Sequence, residues 1–312
     1  MEYSTLYAPY IAPSAHSATG SALSACAGRT SYTFGYVGAC FAVDTACSAS
    51  LVTVHIATHA ATASCAFAMC GGVNYLLSKR TSDAIAAARM LASDGRCKTM
   101  DARADGYGRA ESVAAMALMR WRRHPQPEHD AKRTTTSDAT TMMVVRASAC
   151  GQDGRSAALT APNGAQQRRV MRDAYTLANI DRIRAREVSM HGTGTPLGDP
   201  IECGAIAETF GGDMSTSRVV VALSASKTNA GHGEAAAGAI ALERACAACD
   251  AVMASAIVGL ARVNAHVERA FARESDGIGC VAIPRTAVGG ATLTSSEEDI
   301  SRIVGCSAFA FT

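Results

Sequence analysis

The chain has 312 residues, 48% hydrophobic and 18% charged, with 29 Lys+Arg against 27 Asp+Glu for a formal net charge of +2. This is the composition of a folded chain with a large core, not of a disordered one, and the length leaves open one large domain or two packed halves. No basic stripe interleaved with aromatics marks a nucleic-acid surface, the clusters Arg120, Arg122, Arg123 and Arg182, Arg184, Arg186 reading as exposed faces, and no apolar run nears the roughly 20 residues of a membrane span.

Met1 to Ser17 lacks the basic and apolar regions of a secretory signal, so a soluble protein is expected, in the cytoplasm or an organellar lumen and not secreted. Tyr36 to Thr45 reads as a buried strand, and from Ala46 to about Ala68 the pattern turns Ala-rich and helical, with Cys47 at the change. Gly71 to Leu77 is expected as a strand, Asp83 to Leu91 as a helix, Ser93 to Arg96 as a loop, and Ser112 to Trp121 as a strand buried on both faces. His124 to Ser137 is expected as a surface excursion, followed by a strand-like run from Met142 to Ala149.

Further on, helices are expected over Ala165 to Ala178, Pro200 to Phe210 and Glu234 to Met253, and strands over Glu187 to Met190 and Arg218 to Leu223. An acidic stretch, Ser295 to Asp299, precedes a last apolar run, Ile303 to Phe311, which reads as an incoming strand of a domain that continues. The alternation predicts α/β layers with buried strands, without a fixed-period repeat. The 12 cysteines are diluted and sit in apolar segments, so buried free thiols are expected rather than a disulfide framework. Cys246 and Cys249 form one CxxC with no second pair or histidine beside it, which reads as packing.

Three segments couple a reactive side chain to a turn: Val43 to Ser50 around Cys47, His191 to Pro200, and Lys227 to His232. A cysteine at a strand end and helix start would feel the helix dipole, which favours thiolate, and a thiolate is a nucleophile. Histidines beside glycines at strand ends could project into a cleft, where neutral imidazoles donating Nε–H would stabilise an enolate oxygen. A cysteine hydrolase would need a base paired with Cys47 and access for water.

Together these segments resemble the β-ketoacyl synthase family of the thiolase-like superfamily. Asp44 to Ser48 match the family's DTACS motif, His191 to Thr195 its HGTGT motif, and Lys227 to His232 its KTNxGH motif, in the family's order. Leu91 to Thr99, Asp105 to Tyr107, Gln152 to Ser156 and Leu159 to Gly164 are similar to the modular polyketide synthase branch. The resemblance implies an α/β fold of thiolase-like α/β/α/β/α layers, incomplete in its N-terminal half. Residues 1–16 match poorly, 17–150 are the remainder of the N-terminal half, and 151–312 are the C-terminal half.

By the same resemblance, Cys47 accepts the acyl group, His191 and His232 promote decarboxylation of a malonyl extender, and Lys227 supports them electrostatically. Thr193, Thr195, Asn229, Glu234, Phe309 and Phe311 fall at substrate-binding positions, Phe311 as a gate whose N–H joins that of Cys47 in an oxyanion hole. The implied activity is acyltransfer by decarboxylative condensation in polyketide or fatty-acid synthesis. No metal or diffusible cofactor is implied, since phosphopantetheine arrives on the carrier protein. The implied partners are an acyl carrier protein, acyl and malonyl thioesters, and a second copy in a homodimer of the complete domain; a silent carrier-binding relative is the alternative.

The family's domain begins before this chain does, and its terminal GTNAH segment is not reached, so the sequence reads as truncated at both ends. Within the chain, Arg109-Ala110-Glu111-Ser112 stands where the family has RGEG, Gly233 where it has a bulky residue, and Ala310 where it has glycine. If the replaced glycines held positive φ, each exchange would cost roughly 1 kcal/mol.

Overall fold

The computed structural model describes residues 2–7, 10, 12–63, 65–120, 143–211, 220–250, 253–254, 256–272, 280–282, 288–289 and 303–306. Helices α1 (Glu2–Tyr7), α2 (Ser17–Ser21) and α3 (Leu23–Phe34) lead to a 3-10 turn, Ala46–Ser48, that runs straight into α4 (Ala49–Ala63). Strand β1 (Phe67–Asn74), helix α5 (Lys79–Ala87) and strand β2 (Ser112–Met119) follow. β1 and β2 pair antiparallel, from Phe67 opposite Met119 to Asn74 opposite Ser112.

The second half holds α6 (Gly164–Ala178), β3 (Ala185–Ser189), α7 (Gly198–Phe210), β4 (Val220–Ser224) and the short α8 (Lys227–Ala230). After these come α9 (Ala237–Asp250), β5 (Met253–Ala254), α10 (Ala265–Ala272), β6 (Cys280–Ala282), β7 (Val288–Gly289) and β8 (Ile303–Cys306). Four strands form one parallel sheet in the order β6-β4-β3-β8. Parallel strands need both faces covered, and here α7 and α10 close one face. Val188, Met190 and Leu223 of the sheet region pack with Cys203, Ile206 and Val267 in the core. Helix α9 lies against β8 and β3 on the other side and also against α4, which covers β1.

The layers therefore run α, β, α, β, with α4 and α9 as the shared middle layer: four of the five layers of the thiolase-like expectation, which was of a fold incomplete in its N-terminal half. Among the described residues no further layer covers the hairpin: Phe67, Met69, Val73, Val113 and Met119 are exposed on it.

Local chemistry sets the helix ends. Asn163 caps α6, its side chain accepting from the N–H groups of Ala165 and Gln166, and Asn179 closes it in the left-handed conformation, as short polar side chains permit. Helix α5 begins and ends about four residues earlier than expected: Lys79 pairs with Asp83 one turn on, and Arg89, at φ 56, lies in a conformation no helix continues through. Of the second basic cluster, Arg182 donates to the carbonyl of Thr209, and Arg172 of α6 donates to that of Glu208, placing positive charge at the C-terminal end of α7.

Three strand expectations are corrected. Tyr36 to Thr45 is irregular and largely exposed, and residues 143–150 form no strand either. An apolar run becomes a strand only where a neighbour takes its N–H and C=O groups, and neither segment has a ladder partner among the described residues. β2 is not buried on both faces: Ala114 faces inward while Val113, Ala115, Ala117 and Met119 face out. The excursion at His124 to Ser137, the stretch Ser295 to Asp299 and the end of the last apolar run lie outside the described residues. The cysteines that are described are free, and Cys26, Cys40 and Cys150 are exposed rather than buried.

Asp101 joins the halves. Its buried carboxylate accepts from the N–H groups of Arg103, Ala261 and Arg262 and from the Arg103 guanidinium, and that guanidinium bond, with the backbone donors, holds its pKa well below the usual carboxylate value. A depressed pKa stabilises the fold above the unfolded value near 4 and loses that contribution as the pH falls toward the folded one. Asp101→Asn is expected to cost roughly 2–3 kcal/mol in urea unfolding at pH 7, with the gap to the parent narrowing in acid.

Candidate active site

Three chain turns converge where the two halves meet. The 3-10 turn before α4 carries Cys47, the loop after β3 carries His191, and the segment through α8 carries Lys227 and, beyond it, His232. The cysteine turn is tightly specified. Ala46 sits at φ 50, a conformation that costs a non-glycine residue about 1 kcal/mol or more. Its N–H is taken by the Asp44 carboxylate, and Ser48 bonds back to Thr45 through both its N–H and its hydroxyl. Gly72 lets β1 pass close to the start of α4 and to the turn after His232: a Cβ there would stand 2.7 Å from the Ala235 carbonyl oxygen and 2.9 Å from the Ser50 Cβ.

The Cys47 sulfur lies 3.1 Å from His232 Nε2. On the far side of that ring, Nδ1 accepts from the Glu234 N–H at 3.1 Å, so the ring proton belongs on Nε2 and points at the sulfur. Tyr107 packs edge-on against the same ring, with centroids 4.7 Å apart. His191 stands nearly perpendicular to His232 at 5.7 Å between centroids. Lys227 Nζ donates to the His191 carbonyl at 2.6 Å and lies 3.5 Å from His191 Nδ1, which likewise leaves the His191 proton on Nε2.

Burial dominates the electrostatics. It holds both imidazoles well below the usual histidine range, with the Lys227 charge adding to the effect, and it also lowers the Lys227 pKa. The expectation of a resting thiolate is corrected: burial pushes Cys47 up to about 11, outweighing the attraction of Lys227. The sulfur sits inside a dry turn, where loss of solvation exceeds what a helix terminus supplies.

The loop that carries His191 is held from below by two buried carboxylates of α7. Glu202 accepts from the N–H groups of His191 and Gly192 at 2.7 and 2.9 Å, and Asp199 from those of Met100 and Gly194. Burial raises Asp199 to about 7. Gly194, at φ +77, could not carry a Cβ, which would meet Lys98 N at 2.6 Å. Neither carboxylate stood out in the sequence, although Asp199 in the first turn of the helix after a glycine-rich loop, with Glu202 three residues on, was a signal for them.

Cys47, His191, His232 and Lys227 thus come together as the motifs implied. Thr193 and Thr195 lie beside them with hydroxyls 3.2 Å apart, and Asn229 is exposed on α8. Glu234 does not face a substrate space: both its oxygens are held by Arg109 at 2.6 and 2.9 Å. Phe309 and Phe311 lie outside the described residues. Glu2 of α1, in the segment expected to match poorly, pairs with that same Arg109 at 2.8 Å.

The sulfur and one nitrogen of each imidazole lie within 4.8 Å of one another, a spacing that zinc ligands also adopt. Metal-binding imidazoles, however, offer a bare nitrogen and donate the other N–H to an acceptor. Here the outer nitrogens face donors and the inner ones carry protons, so the donor set suits developing negative charge rather than a cation.

Residues 2–124 match the model of the β-ketoacyl synthase N-terminal domain and residues 142–259 that of the C-terminal domain. The chain belongs to the β-ketoacyl synthase family. It is 42% identical over 221 residues, 70% of its length, both to erythronolide synthase EryA2 of Saccharopolyspora erythraea and to the pikromycin synthase component PikAII of Streptomyces venezuelae. It spans only 6% of each of those proteins. The ketosynthase from module 6 of the bacillaene synthase of Bacillus subtilis 168 superposes with a TM-score of 0.79 at 25% identity, over 96% of this chain and 51% of that one. The oxazolomycin ketosynthase domain OzmH KS7 of Streptomyces albus JA3453 gives 0.78 at 27%, over 93% of this chain and 47% of that one.

Two departures of this ketosynthase-family chain from the family pattern prove to be one. The Ala110 and Ser112 backbones do not have positive φ, so neither exchange strains the chain. A Cβ on Gly233 would stand 2.0 Å from Ser112 Oγ: the bulk missing at 233 is supplied from 112, at the wall of a cavity of about 230 Å³ that also borders Lys227. Gly233→Leu alone is expected to cost about 1–3 kcal/mol. With Ser112→Gly the loss should shrink, and urea unfolding of both single variants and the double gives the coupling.

Proposed function

We propose that the site performs decarboxylative condensation in polyketide assembly. Cys47 first exchanges its thiol proton for an acyl group delivered as a thioester of an acyl carrier protein. A malonyl thioester then enters, its pantetheine arm against Thr193 and Thr195, with Asn229 at the entrance. Loss of carbon dioxide leaves the bond's electron pair as an enolate, whose oxygen accepts hydrogen bonds from His191 and His232 Nε2. The enolate carbon attacks the acyl carbonyl, held by the Cys47 N–H with the Phe311 N–H as the second donor. The new carbon–carbon bond forms as the bond to the Cys47 sulfur breaks, and the β-ketoacyl chain departs on the carrier.

The observation that carries the reading is the pair of donor-facing outer nitrogens, which presents two Nε2–H groups in a dry pocket beside a thiol. A base for water attack, as a cysteine hydrolase needs, would require the opposite tautomer at His232. The chain itself supplies no diffusible cofactor in this scheme; it works in an intracellular setting, and the complete domain assembles as a homodimer.

Intact-mass analysis of the protein incubated with acyl-carrier and malonyl-carrier thioesters tests the reading. Acyl mass on the wild-type chain and a β-ketoacyl product on the carrier are expected, both lost in Cys47→Ala. A folded sample that takes up acyl groups equally well without Cys47, or not at all, overturns it.

A further inference from the structure

The Glu234 N–H that fixes the His232 proton comes from a residue held in an unfavourable conformation. Glu234 has φ 42, a region side-chain-bearing residues enter only when their surroundings enforce it. Its side chain is held by Arg109. Its Nε and Nη2 clasp both Glu234 oxygens at 2.6 and 2.9 Å, in the parallel two-bond geometry that only a guanidinium supplies.

The Arg109 backbone brackets the histidine as well. His232 N donates to Gly108 O at 2.7 Å and Ala110 N to His232 O at 2.9 Å. The guanidinium is itself fixed from behind, by the Ser82 hydroxyl and the Glu2 carboxylate at 2.8 Å each. Glu2 in turn accepts from the N–H groups of Leu77 and Ser78 at 2.7 Å. The Arg109 side chain is only 5% exposed, so the grip works out of solvent.

We infer that Arg109 is a positioning residue: by clasping the Glu234 carboxylate it aims the Glu234 N–H at His232 Nδ1 and thereby keeps the ring proton on Nε2, facing Cys47. The catalytic consequence rests on the condensing role proposed above, whereas the placement of the proton does not. Charge alone does not meet the need. A lysine at 109 keeps the positive charge but cannot span both Glu234 oxygens while reaching Glu2.

Long-range proton–nitrogen NMR of histidine-labelled protein, with malonyl decarboxylation followed in parallel, tests this. The wild type is expected to show His232 as one tautomer, protonated at Nε2 with an acceptor Nδ1. Arg109→Gln and Arg109→Lys should show an exchanging mixture, with decarboxylation slower by about 10- to 100-fold and with KM little changed. Glu234→Gln, which leaves the Arg109–Glu2 pair in place, should move in the same direction and decides the matter if the arginine variants do not fold. An unchanged single Nε2–H tautomer in the folded variants overturns the inference. If the tautomer responds but the wild type releases no carbon dioxide, the positioning role stands and the condensing role falls.

Discussion

The sulfur of Cys47 and the imidazole of His232 meet at 3.1 Å across 185 residues of chain, and most of the architecture follows from keeping them there with the proton between them correctly owned. The contact lies between the two halves of the fold. Its geometry is inherited from α4 and α9, the middle layer both halves share, and from the ladder-like bonds that tie Gly108 and Ala110 to His232. A dry site makes each hydrogen bond stronger and each misplaced one costlier. That is why the surrounding donors and acceptors, rather than the bulk pH, decide which nitrogen carries a proton.

Two buried systems serve the two histidines separately. Below His191, the Glu202 carboxylate holds the loop backbone while Lys227 supplies a cation to its carbonyl and outer nitrogen. Behind His232, Arg109 and Glu234 hold a backbone N–H in place. Both end with a donor against Nδ1. Two different constructions reaching one tautomer is what a pocket for a developing oxyanion demands, and it is the reverse of what a metal site needs.

Much of this was legible in the sequence because its signals are local. Cys47, His191, Lys227 and His232 sit in short segments whose residue order alone marks them, and the helices at α6, α7 and α9 follow from the length and pattern of their own segments. What was not legible depends on partners far along the chain. Arg109 and Glu2 are 107 residues apart, and nothing near either one announces the other. Tyr36 to Thr45 carries the pattern of a buried strand, but pairing is decided by what lies alongside. In β2, Ala, Met and Val occupy both faces, so the pattern could not say that one of them is exposed. The expected thiolate failed for a similar reason, because the burial that raises Cys47 is created by other segments. The departures at Ser112 and Gly233 looked independent until the fold set one against the other.

The most direct measurement is the rate of carbon dioxide release from a malonyl thioester by His191→Ala and His232→Ala, each checked for a folded state by circular dichroism. If two Nε2–H donors share the enolate oxygen, each variant loses about 100-fold or more. Release within about threefold of the parent in either variant, against that expected loss, would contradict the account, since one of the two donors would then be ornamental to the chemistry.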